Sequence, residues 1–218
     1  MDFMFSKFRE PVNGLTHLFA ACLVVIGVLV IAISGHPTME EGIALTIYGL
    51  AQMLMFGSSA FYHLRKTSPE GLKRLRKLDH SAIYLSIAGT YTPICLFYFS
   101  GFWKWDMIIL VWILAIAGII FKLIYLNAPR WLSTGIYLIM GWLAVAGIGE
   151  ILRSIHGSAI IWFFAGGIFY TIGAIIYIVK RPNFFGGKFG FHEIWHIFVI
   201  LGSFSHYMVI AAYFGLYA

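Results

Sequence analysis

The sequence predicts an all-α integral membrane protein, a single bundle of seven transmembrane helices. Hydrophobic residues make up 61% of the 218 residues and charged residues only 11%, whereas soluble domains carry about 25% charged residues. The charges are grouped between apolar runs of about twenty residues, the length of helix that crosses the hydrocarbon core of a bilayer. Membrane lipids are therefore the first expected partner.

Seven apolar runs are the expected membrane spans. In chain order they cover residues 15–34, 42–64, 80–100, 106–126, 132–150, 157–179 and 192–217. The first run resembles a cleavable signal peptide, but it is longer than the roughly 7 to 15 apolar residues of such a segment and therefore predicts a span. Loop-forming residues separate the first and second, second and third, fourth and fifth, and sixth and seventh runs: Gly35-His36-Pro37, Ser68-Pro69-Glu70-Gly71, Ala128-Pro129-Arg130 and Arg181-Pro182-Asn183.

The distribution of lysine and arginine predicts the orientation of the bundle. The loops and the adjoining span ends on alternate sides of the expected bundle hold 13 and 2 of the 15 basic residues. Since cytoplasmic loops carry the excess of basic residues, the N-terminus is expected in the cytoplasm and the C-terminus outside the cell. The net charge of +6 arises from basic residues in these short loops. The charge is therefore explained by membrane topology, and no nucleic acid is expected as a partner.

Polar side chains collect at the cytoplasmic ends of three expected spans. Ser59 and His63 end the second span, Asp79 precedes the third, and His192 and His196 open the seventh. Ionisable groups in spans are costly and commonly mark functional sites. The predicted topology places all five side chains at one depth in the membrane.

These residue types predict a zinc (Zn2+) site with His63, His192 and His196 as metal ligands. The i, i+4 spacing of His192 and His196 places both imidazoles on one helix face. Three protein ligands and an open fourth position are typical of a catalytic zinc. Asp79 and Ser59 are then the catalytic candidates, although an aspartate at this position commonly only caps its helix.

The remaining histidines are assigned more ordinary positions. His36, His80 and His156 are expected at membrane interfaces. His206 shares a helix face with His192 but lies about 20 Å along the axis, too far to share one ion. It is interpreted either as lining a cavity or as a core histidine with a hydrogen-bond partner.

With these residues the chain resembles the hemolysin III branch of the progestin and adiponectin receptor (PAQR) family, which is related to the alkaline ceramidase-like membrane hydrolases. The resemblance covers nearly the whole chain and is carried by Glu10 through His17, Ser59 through His63, Leu78 through Ser81, and His192 through His196 followed by His206. It implies zinc held at the positions of His63, His192 and His196, with Asp79 near the water on the metal and Ser59 close by. It also implies a bacterial plasma membrane, and it associates the chain with cytolysis.

Three functions remain open from the sequence. The first is a zinc-dependent hydrolase of an amide or ester bond in a lipid substrate, with Asp79 as base or water-orienting group and Ser59 near the developing oxyanion. The second is an intramembrane protease that uses His192 through His196 as an H-E-x-x-H motif with Glu193 as base. Here Glu193 is expected instead to stabilise the start of its helix. The third is a non-enzymatic sensor or lytic protein in which zinc holds helices together.

Overall fold

The protein folds into a bundle of helices joined by short loops, in a computed structural model that describes residues 7–184 and 189–217. The described residues form seven helices, one of which is interrupted. They are α1 (Pro11–Ser34), α2 (Met39–Leu64), α3 (Pro69–Tyr98), α4 (Gly101–Ile124), α5 (Arg130–Ser154), α6 (Ser158–Val179) and α7 (Phe191–Tyr213). Within α5 a 3₁₀ segment, Leu143–Gly147, separates two α-helical parts.

The helices have the dimensions and surfaces of a membrane bundle. Six of them, all except α3, are long and apolar enough to cross a bilayer. Large apolar side chains are exposed on the outside of the bundle, including Phe19 and Ile26 on α1 and Ile113 and Ile116 on α4. An exposed apolar belt of this extent requires lipid as its solvent. The predicted helical integral membrane fold is confirmed.

Helix α3 begins eleven residues before the apolar run that predicts it, at Pro69 instead of residue 80. The Ser68 hydroxyl accepts a hydrogen bond from the Gly71 amide, and Pro69 occupies the first turn. Both features favour helix initiation. Most of the expected loop from Ser68 to Gly71 is therefore helix. The lysine, arginine and leucine residues that follow Gly71 favour helix and continue it up to the apolar run.

Hydrogen bonds join the start of one helix to the end of the next at one end of the bundle. The Glu10 amide donates to the His63 carbonyl at 2.9 Å, joining the start of α1 to the end of α2. Lys77 Nζ donates to the Leu123 carbonyl at 2.6 Å, joining the first half of α3 to the end of α4. We call this end of the bundle the basic end, because the loops and helix ends here contain 13 of the 15 basic residues.

Polar and small side chains hold the interior of the bundle together. Gln52 Nε2 donates to Thr90 Oγ1 at 2.7 Å, and its amide oxygen accepts from Ser86 at 3.1 Å and from Ser203 at 3.4 Å. These bonds connect α2, α3 and α7 and satisfy the buried amide of Gln52 within the bundle. Close packing also requires Gly89, since a Cβ atom there would lie 2.4 Å from Ala51.

Candidate metal centre

Three histidines from two helices converge at the basic end. His63 lies in the last turn of α2, and His192 and His196 occupy the first two turns of α7. The centroids of their rings are 4.9 to 5.1 Å apart. One possible ligand atom from each ring lies within 4.8 Å of the others. The structure therefore brings together the three side chains predicted as metal ligands.

The donor set of these rings fits a zinc ion. Zn–N bonds of about 2.0–2.1 Å in tetrahedral geometry place ligand nitrogens roughly 3.3 Å apart, so small side-chain rotations would bring the three rings onto one ion. His63 and His196 are only 1% and 2% exposed. The His196 Nδ1 atom is buried without a well-formed hydrogen bond, although the backbone of Asn13 lies close enough to interact with the ring. Neutral imidazoles in this arrangement are suited to a divalent transition metal.

A carboxylate orients one of the three rings. Glu10, the residue before α1, accepts a short hydrogen bond from Nδ1 of His63. Because Nδ1 carries the proton, the lone pair of His63 is on Nε2 and is free to bind a metal. Partial burial tends to raise the pKa of Glu10, but the hydrogen bond from His63 and the charge of Arg9 outweigh it and hold that pKa below its usual value.

Asp79 and Ser59 lie beside the three histidines. Both side chains are buried. The Ser59 hydroxyl lies close enough to the Asp79 carboxylate to interact with it, and His63 is also a neighbour of that carboxylate. Among the described residues, the group whose ligand atoms lie within 4.8 Å of one another contains the three histidines and does not contain Asp79. This position suits a group that acts on a water or a substrate beside the metal.

The start of α1 contributes two residues that sequence analysis did not assign to the site. The ring of His17 stacks on that of His196, with centroids 3.8 Å apart, and is 3% exposed. Asn13 Nδ2 donates to Glu193 Oε1 at 2.8 Å. Asn13 and His17 are spaced i, i+4 and share one face of α1, which marks them as a polar pair on that helix but does not reveal which residues they contact.

Glu193 serves as a helix cap. Its Oε2 atom accepts from the Gly190 amide at 2.8 Å, while Oε1 is bound to Asn13. The expectation that Glu193 stabilises the start of its helix is confirmed. Both carboxylate oxygens are occupied by hydrogen bonds, which speaks against a role as the base of an H-E-x-x-H protease.

A cavity of about 450 Å³ adjoins the histidines and runs through the centre of the bundle. All seven helices contribute to its wall, from His17 on α1 and Ser59 on α2 to His196 on α7. Arg76 and Arg130 line it at the basic end, and the deeper wall is formed mainly by apolar residues such as Ile83, Ile87, Phe163, Phe164 and Val199. The cavity connects a polar opening with an apolar interior.

The other histidines are distributed as follows. His36 lies between α1 and α2, His156 lies between α5 and α6, and both are exposed. His80 lines the cavity, and its Nε2 atom lies 3.9 Å from Asp79 Oδ2. His206 lies at the deep end of the cavity and is close enough to the backbone of Phe163 to interact with it. It is thus both a cavity residue and a core histidine.

Comparison with known proteins agrees with this architecture. A family model described as "Haemolysin-III related" matches residues 5–207. The chain is 38% identical to Hemolysin-3 of Bacillus cereus, with 89% of this chain and 87% of the relative aligned. It is 34% identical to the Hemolysin-3 homolog of Bacillus subtilis (strain 168), with 96% of each chain aligned. The adiponectin receptor protein of Drosophila melanogaster is 28% identical over 94% of this chain and 50% of the relative.

Proposed function

Because the chain belongs to the haemolysin-III related family, a family of membrane proteins, we propose that it is a zinc-dependent hydrolase that cleaves an amide or ester bond of a lipid. The observation that carries the proposal is the convergence of His63, His192 and His196 beside a cavity whose wall contains His192, His196 and Asp79. Such an arrangement supplies metal ligands, a base and space for a substrate. Zinc is the expected cofactor.

His63, His192 and His196 are the residues that would hold the metal. Zinc bound by three histidines lowers the pKa of a water molecule towards about 7 and polarises a carbonyl group. The hydrogen bond from His63 to Glu10 fixes the proton on Nδ1 and the orientation of the ring. The ring of His17 stacks on the ring of His196 and restricts the rotation of His196.

Asp79 is proposed as the group that moves the proton. In hydrolysis the oxygen of a water molecule bonds to the acyl carbon, and the bond from that carbon to the leaving nitrogen or oxygen breaks. The Asp79 carboxylate takes the proton from the water and returns it to the leaving atom. The Ser59 hydroxyl lies close enough to Asp79 to donate its single proton to the carboxylate and orient it. Rotation of the hydroxyl towards the substrate would let it donate that proton to the developing oxyanion instead.

The cavity supports a lipid as the substrate. Its deep wall contains Ile83, Ile87 and Phe163, whereas its opening at the basic end is polar. An acyl chain placed in the apolar part would bring its carbonyl group near the histidines, because these lie between the two parts.

We also propose that α3 crosses the membrane with the other six helices and that the basic end faces the cytoplasm. The apolar half of α3 packs between α2 and α4, as shown by Gly89 against Ala51 and by Gly118 of α4 against Tyr84. The excess of basic residues at one end predicts the orientation. The bacterial plasma membrane is the proposed location, because both Bacillus relatives align over most of their length.

The names of these relatives favour a second function, cytolysis. In that case the metal would only hold α2 and α7 together. Leakage of a dye from vesicles that contain the purified protein would support a lytic role if it occurred without any lipid product.

The hydrolase is tested with purified protein and extracted membrane lipids, followed by mass spectrometry of the products. We expect a free fatty acid and its amine or alcohol partner. Asp79→Asn is expected to keep its zinc and to lower the rate by about 100-fold or more, the usual scale for loss of a positioned base. Zinc-loaded protein that releases no fatty acid from any amide or ester lipid would contradict the proposal, and full activity in Asp79→Asn would remove Asp79 as the base.

A further inference from the structure

The opening of the cavity is strongly basic. Four cationic side chains line this part of the wall: Arg76, Lys122, Arg130 and Lys180. Within residues 7–184 and 189–217, the only acidic residue in the cavity wall is Asp79, and none of the four cations makes an ion pair within 4.0 Å. The charge at the opening is therefore not compensated by the described side chains.

Lys122 is the most unusual of these cations. It lies in the last turn of α4 and is 1% exposed, and its Nζ atom donates to the Ser133 hydroxyl at 2.6 Å. Buried lysines are rare and normally have an acidic partner, because a hydroxyl does not replace the solvation of an ammonium group. The dipole at the end of α4 favours a cation there, but Arg76 is close enough to repel it.

The arginines of the opening are held by their neighbours. Arg130 Nη1 donates to the Tyr177 carbonyl at 3.1 Å, and its guanidinium lies 4.3 Å from the centre of the Tyr177 ring. Arg76 Nη1 donates to Asn127 Oδ1 at 3.4 Å. Each guanidinium keeps further N–H donors for an anion, and the planar donor group of arginine matches the oxygens of a phosphate.

We propose that Arg76, Lys122 and Arg130 form an anion subsite that binds a phosphate group on the polar head of an amphiphile. The apolar chain of the same molecule then occupies the deep part of the cavity. The inference rests on the proposed function in that it defines the substrate of the same cavity, a lipid with a negatively charged phosphate. It requires only binding and no bond cleavage.

The subsite is tested with two ligands that contain no carboxylic amide or carboxylic ester bond, dodecyl phosphate and dodecanol. Their affinities are measured by titration calorimetry with the full-length, zinc-loaded protein in uncharged detergent. The phosphate compound is expected to bind at least about tenfold more tightly, the scale of hydrogen bonds to charged groups. Lys122→Met is expected to remove most of this preference, and Lys122→Arg to retain it.

Lys77→Met is the matched control. Lys77 is at the same end of the bundle and its replacement changes the net charge equally, but it does not line the cavity. The preference is expected to remain in this variant. If Lys122→Met does not fold, the double variant Arg76→Gln, Arg130→Gln provides the same comparison.

Inorganic phosphate distinguishes two sources of the anion. Displacement of dodecyl phosphate by millimolar phosphate would show that the anion alone is bound, and a preference that phosphate does not displace would indicate a lipid head group. Both results support the subsite. Equal affinities for dodecyl phosphate and dodecanol, or a preference unchanged in the Lys122→Met or double variant, would overturn it. Because neither ligand has an acyl bond to cleave, this titration reports on the subsite alone, and release of a fatty acid from lipids reports separately on the hydrolase.

Discussion

Replacement of Glu10 tests whether a carboxylate prepares the metal centre. The Glu10 side chain accepts a hydrogen bond from Nδ1 of His63, which keeps the lone pair on Nε2 and fixes the orientation of the ring. Glu10→Ala removes this acceptor. The His63 ring is 1% exposed, so water can replace the lost acceptor only if the ring or the start of α1 moves.

The expected loss of zinc affinity follows from this contact. Removal of a partner that orients a ligating histidine typically weakens metal binding by about 10- to 100-fold, which corresponds to about 1.4–2.7 kcal/mol. Glu10 is the only acidic group with a hydrogen bond to any of the three rings in the described part of the chain, so a value within this range is expected. Zinc affinity is measured by competition with a chelating indicator.

Two variants make the result specific. Glu10→Gln keeps an oxygen that can accept from Nδ1 and is expected to lose less affinity than Glu10→Ala. Glu70→Ala removes an exposed acid from the same end of the bundle and is expected to bind zinc like the unmodified protein. If Glu10→Ala bound zinc within twofold of the unmodified protein, Glu10 would not orient the ligand.

Two further predictions concern packing and topology. Gly166→Leu is expected to lower the free energy of unfolding by about 1–3 kcal/mol, because a Cβ atom at Gly166 would lie 2.5 Å from His206 Nε2. Thermal unfolding in detergent measures this change, with the exposed Gly149→Leu as control, and equal stability of the two variants would refute the packing role. In a variant without the natural cysteines, Glu70→Cys is expected to resist a membrane-impermeant thiol reagent on intact cells and His36→Cys to react with it. The opposite pattern would reverse the proposed orientation.

The sequence predicted the helices and the histidine cluster because both depend on local patterns. Apolar runs of membrane-spanning length identify the spans, and the i, i+4 spacing of His192 and His196 places both rings on one face. The alternation of basic loops then located the end of α2, and with it His63, near the start of α7. These inferences need only helix geometry and the order of the spans.

The partners of the cluster depended on tertiary packing that the sequence does not reveal. The contact between Glu10 and His63 requires α1 to pack beside α2, and the stack of His17 on His196 requires it to pack beside α7. Lys122 counted only as a basic residue of a loop, although the structure places it in the cavity wall. The early start of α3 was also missed, since hydropathy marks where a helix is apolar and gives no information on where its polar turns begin.

The zinc content of the purified protein is the most direct test of the proposed metal centre. The protein is prepared without added metal chelators and analysed by elemental mass spectrometry beside the triple variant His63→Ala, His192→Ala, His196→Ala. The convergence of these rings predicts about one zinc ion per chain in the unmodified protein and almost none in the triple variant. Zinc bound equally by both proteins, or by neither, would contradict the assignment.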